Sequence, residues 1–121
     1  MAKDKNILAV VSDIFFSVQV GEAANRLGYK VEYAKSAEEA AEKLASHPDL
    51  VILDLAEEGI QWDNIILDAK VGGGTTPVLA FGHHMDLEVR DRALKAGADA
   101  VVSNAVFSKD LPKLVKKYIK K

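Results

Sequence analysis

The segment Pro48-Asp49-Leu50-Val51-Ile52-Leu53-Asp54-Leu55 decides the fold. Leu50 to Leu53 run aliphatic without polar alternation, as in a strand covered on both faces. Strands of that kind belong to parallel sheets flanked by helices, and Asp54 then falls at the carboxyl end of one. Working outward, Ile7–Val11 has the same texture, and Val31–Tyr33, Pro77–Phe81 and Ala100–Val102 complete five strand candidates. The stretches between them have helical spacing, so the chain reads as alternating β and α units.

The helix signals fit this division. Phe16, Val20, Ala23 and Leu27 recur at helical intervals, with Gly28 as a stop. Ser36 with Glu39 forms a capping box ahead of a helix over Ala37–Ala45, which Pro48 ends before the central strand. A helix is expected over Ile60–Val71, followed by a flexible loop at Gly72-Gly73-Gly74. Asp86 is expected to cap Leu87–Ala96, with Gly97 as terminator. Ser108 is expected to cap the last helix, whose buried stripe is Leu111, Leu114, Val115, Tyr118 and Ile119. No repeat or linker interrupts the pattern, so one (βα)5 domain over 1–121 is expected, with no output domain.

Composition narrows the function. The 121 residues are 49% hydrophobic and 28% charged, which suits a packed domain. Cysteine is absent, excluding disulfides, zinc-thiolate sites and thiol catalysis. The apolar runs are too short to span a bilayer, and Met1–Lys5 leads straight into a strand-like run rather than a signal-peptide core. A cytoplasmic location without membrane insertion is therefore expected. Net charge is −2, yet Lys109, Lys113, Lys116, Lys117, Lys120 and Lys121 against Asp110 give the final segment +5, leaving −7 elsewhere. A solvated helix face, with lysines suited to the helix C-terminal dipole, explains this more simply than nucleic-acid binding.

An open parallel sheet places its crevice beyond the carboxyl ends of the strands. The residues there are Ser12 and Asp13, Asp54, Gly82 and His83, and Ser103 and Asn104. Neither GxxxxGK[ST] nor GxGxxG occurs, so no nucleotide-phosphate loop is indicated. Ser12 and Ser103 lack a nucleophile-elbow context, and no enzymatic activity is expected. His83 or His84 with Asp54 and Asp13 would make donors for zinc or a similar metal, although adjacent histidines seldom aim at one point. Among the aromatics, Phe15, Phe16 and Trp62 are candidate partner anchors, Phe16 more simply closing the core and Trp62, the better candidate for partial exposure, evenly placed between packing and contact.

In order and spacing the chain resembles the receiver domain of two-component response regulators over essentially its whole length. Pro48–Leu55 resembles the strand that ends in the phosphoacceptor aspartate. Thr76-Pro77-Val78-Leu79-Ala80-Phe81 resembles the fourth strand, and Ala93-Leu94-Lys95-Ala96-Gly97-Ala98-Asp99 the turn before the fifth. The resemblance implies a flavodoxin-like sheet in the order 2-1-3-4-5. It also implies a phosphoryl switch built from an aspartate, a magnesium-holding acidic pair, a lysine and a Ser/Thr hydroxyl.

Asp54 stands at the phosphoacceptor position. The acidic pair falls on Val11 and Ser12, with Asp13 one residue late. The hydroxyl position falls on Gly82, and the lysine position on Asn104, or on Ser103 after a slip. The proline usual after the phosphoacceptor is missing from Asp54-Leu55-Ala56-Glu57-Glu58-Gly59. Too little charge of either sign surrounds Asp54 to host magnesium and a phosphoryl group together.

The expectation is a stand-alone receiver-like signalling domain that acts by protein contacts with its phosphorylation chemistry lost. The resemblance points to a contact face that includes Arg90, Lys95, Val106, Phe107 and the terminal lysines. Its partners would be signalling proteins such as a histidine kinase, or a second copy of the chain, and no cofactor is needed. The alternatives are a working phosphoacceptor at Asp54 with magnesium on Asp13 and Asp54, and a small-ligand or metal-binding module.

Overall fold

A computed structural model describes residues 5–11, 13–56, 61–70, 76–82 and 87–120. Five strands alternate with five helices: β1 (Asn6–Val10), α1 (Ile14–Leu27), β2 (Lys30–Tyr33), α2 (Ala37–Leu44), β3 (Leu50–Asp54), α3 (Trp62–Lys70), β4 (Val78–Gly82), α4 (Leu87–Ala96), β5 (Ala100–Ser103) and α5 (Asn104–Tyr118). The strands form one parallel sheet in the order β2-β1-β3-β4-β5. This is the expected flavodoxin-like order. Every residue of β3 and β4 is buried, as continuous apolar runs require when helices cover both faces.

Side chains alternate across the sheet and build two cores. On one face Ile7, Ala9, Leu50, Ile52, Leu79 and Phe81 meet α1 and α5. On the other Leu8, Val10, Val51, Leu53, Val78 and Ala80 meet α2, α3 and α4. The expected stripe of α1 holds: Val20 and Ala23 are buried, while Phe16 and Leu27 pack against the first core. Gly28 ends the helix in the left-handed region at φ 80°, where glycine has no Cβ to clash.

Ser36 caps α2 by accepting from the Glu39 N–H at 3.1 Å. Glu39 Oε1 answers by accepting from the Lys35 N–H at 3.0 Å, one residue before the position a standard capping box uses. Asp99 performs a role that spacing alone does not reveal. Its Oδ2 accepts from Lys70 Nζ at 2.6 Å and from the Val78 N–H at 2.7 Å, tying α3 to the start of β4.

Ser108 does not cap the last helix. The helix begins earlier, with Ser103 as N-cap accepting from the Val106 N–H at 3.2 Å. Ser108 lies inside it and donates to Gln19 Oε1 at 2.9 Å. The reason is a kink: Asp110 sits outside helical geometry (φ −112°, ψ 18°), and Pro112 has no N–H to offer the carbonyl four residues back. The second half of α5 therefore looks like an independent helix in the sequence. Asp86, Ile60, Val71 and Gly72-Gly73-Gly74 lie outside the described residues.

Candidate functional site at the carboxyl edge of the sheet

Asp54 closes β3 in the middle of the sheet and is only 6% exposed. Its Oδ1 accepts from the Ala56 N–H at 2.9 Å, an Asx-type turn that carries the chain off the strand end. Leu55 continues the ladder by donating its N–H to the Phe81 carbonyl at 2.9 Å. The register sets Asp54 beside Phe81 and Gly82 beside Ser103, so residues distant in sequence converge there.

Asp13 is placed by a different demand. It is the N-cap of α1, and its Oδ1 accepts from the N–H groups of Phe15 at 2.8 Å and Phe16 at 3.3 Å. Those donors have no partner within the helix, so the carboxylate is engaged in capping. Val11 is buried and apolar. Among the described residues no group of three His, Asp or Glu side chains could hold a metal ion.

Gly82 lacks a hydroxyl and lies against Leu55. A Cβ added to it would meet Leu55 Cβ at 3.3 Å, tighter than ordinary packing. A side chain at Gly82 would thus require Leu55 to give by a few tenths of an ångström. Ser103 is engaged as the cap of α5. Asn104 begins that helix, and its Oδ1 is buried without a hydrogen-bond partner among the described residues. Ser12, His83, His84, Glu57 and Glu58 lie outside the described residues, so the histidine metal site has no geometry to report.

Two surface expectations change. Phe107 is fully buried, stacked on Phe81 with ring centroids 3.8 Å apart and planes 10° from parallel, so it belongs to the core and not to a contact face. Trp62 is buried too, at 7% exposure, with the Arg92 guanidinium 4.6 Å above its ring. Each continues the buried stripe of its helix, Phe107 with Leu111 and Val115 and Trp62 with Ile65, Ile66 and Ala69. Phe16 does close the core, packing against Phe81 and Phe107. Phe15 is the exposed aromatic, at 62%.

Between α4, β5 and the start of α5 lies a cavity of about 400 Å³ lined by Leu55, Gly82, Val89, Arg90, Val101 and Ser103, among others. The pairing of β4 with β5 brings Val101 beside Gly82 and Ser103, and α4 adds Val89 and Arg90, a placement spacing alone does not reveal.

A doubly wound sheet with a buried aspartate ending its central strand defines the receiver architecture. No protein-family model matches the chain. The transcriptional regulatory protein QseB of Escherichia coli O157:H7 is 30% identical over 94 residues, 77% of this chain and 43% of that protein. The chain thus spans less than half the length of the curated relative it matches. A response regulator from Thermotoga maritima is 25% identical with a TM-score of 0.80, covering 95% of this chain and 97% of that one. A CheY-like receiver domain protein from Methanospirillum hungatei is also 25% identical, with a TM-score of 0.81 and coverages of 95% and 93%. The chemotaxis regulator CheY4 of Vibrio cholerae superposes equally well, with a TM-score of 0.81 over 95% of this chain and 98% of that one, at 20% identity. The chain is a receiver domain of the response-regulator class.

Proposed function

We propose that this receiver domain signals through protein contacts and has set aside the phosphoryl chemistry of its class. The observation that carries the reading is Gly82 at the position of the switching hydroxyl: it has no side chain to move, and a Cβ added there would press on Leu55 Cβ at 3.3 Å. Two further features support it. Asp13 serves as a helix cap, and Asn104 offers no positive charge at the lysine position to pair with a phosphoryl group.

The contact face is the α4–β5–α5 side, without Phe107. Val106 is 40% exposed there, Arg90 and Lys95 are exposed, Lys109, Lys113, Lys116 and Lys117 line the solvent side of α5, and Lys120 is exposed just past its end. A partner of the signalling class, a kinase among the candidates, would present acidic groups to it. Among the described residues no helix is long and apolar enough to cross a membrane.

Incubation with acetyl phosphate, or with beryllofluoride, in magnesium tests this. Intact mass and Trp62 fluorescence are expected to stay as they are in Asp54→Ala. A stoichiometric adduct present in the parent and lost in Asp54→Ala overturns the proposal. It would instead support the reading of Asp54, buried at the end of β3, as a working phosphoacceptor.

A further inference from the structure

The cavity beside Gly82 has the make-up of a small-molecule site. Its volume, about 400 Å³, lies in the range of ligand pockets. Leu55, Val89 and Val101 supply apolar walls that belong to or pack against the second core. At the mouth stand Leu87 and Val106, 62% and 40% exposed, two large apolar side chains that a folded domain gains by covering. Among the described lining residues the charged one is Arg90. Arg92, on the same helix, is committed to Asp63 at 3.0 Å. Arg90 has no carboxylate partner among the described residues. Ser103 accepts through its Oγ from the Val106 N–H, which leaves the hydroxyl proton as a second donor on the same wall.

We propose that this cavity binds a small carboxylate with an apolar body, its hydrocarbon part against Val89 and Val101 and its carboxylate on the Arg90 guanidinium. Chemistry selects this occupant: apolar walls favour a hydrocarbon, and one unpaired guanidinium at the rim favours a planar anion that accepts two parallel hydrogen bonds. The site lies between α4 and α5, so an occupant would bear on the face assigned above to partner contact. The binding itself does not depend on whether Asp54 accepts a phosphoryl group.

The test is titration of the folded chain with octanoate, followed by amide chemical shifts in a two-dimensional NMR spectrum. Octanol and octylamine serve as neutral and cationic counterparts. Saturable shifts are expected at Gly82, Leu87–Arg90 and Val101–Val106, with octanoate binding more tightly than octanol. Arg90→Glu, a change on an exposed position, is expected to weaken octanoate about tenfold or more, the weight of one charge-assisted contact, and to leave octanol unchanged. Val106→Asp at the mouth is expected to weaken both. Absence of saturation at millimolar octanoate overturns the proposal. So does equal binding of octanoate to the parent and Arg90→Glu, or protein-concentration-dependent shifts at the same residues without ligand, which would assign the cavity to a second copy of the chain.

Discussion

At the residue scale, the site is defined by what its side chains do for folding. Asp13 and Asp54 are both carboxylates at strand ends, yet each is bound to backbone N–H groups that the local turn or helix leaves unpaired. Gly82 gives the sharpest expectation. Gly82→Thr would place a β-branched side chain against Leu55 and is expected to destabilise by about 1–3 kcal/mol, as overpacked cores do. Urea denaturation measures this, and a variant as stable as the parent would show that a hydroxyl fits. The sequence reveals that Gly82 has no hydroxyl. It does not reveal that Leu55 lies against it, because that depends on the register of β3 with β4.

At the element scale, α5 separates what was legible from what was not. Its periodic stripe shows in the sequence because Leu111, Val115 and Ile119 follow the helical repeat and are buried. Its start does not, since Asp110 and Pro112 make the second half look like a separate helix, although Phe107 lies one turn before Leu111 on the same buried stripe. Phe107→Ala is expected to cost about 3–5 kcal/mol by emptying the stack on Phe81. Its neighbour Val106, on the exposed side, is expected to lose no more than about 0.5 kcal/mol on change to Ala. Urea midpoints of the two variants test the assignment of one residue to the core and the other to the surface. The strands were read to within a residue or two, because continuous apolar runs admit few alternatives. The caps at Ser36 and Gly28 were equally plain, each being a local signal that needs no partner.

At the scale of the whole molecule, stability should depend on alkaline pH through Tyr33. Its hydroxyl donates to the Ser17 carbonyl at 3.0 Å, and burial raises its pKa above 10.0. The neutral phenol is thus favoured in the folded state. Its contribution is complete below pH 10.0, where the unfolded chain begins to ionise, and is lost as pH climbs through the higher folded value. The urea midpoint is expected to fall over that window, and Tyr33→Phe is expected to flatten the fall at the cost of about 1 kcal/mol at neutral pH for the lost bond.

Asp49 has a wider consequence. Its side-chain Oδ2 accepts from the Asn6 N–H and its carbonyl from the Lys120 N–H, so the first strand and the last turn are fastened to one residue. That residue lies just ahead of β3, whose five residues at about 3.3 Å each hold it roughly 16 Å from Asp54. A fluorophore or fused reporter attached near either anchored segment therefore sits at the pole opposite the cavity and the buried aspartate. Both can be interrogated in a labelled protein without the label reaching them.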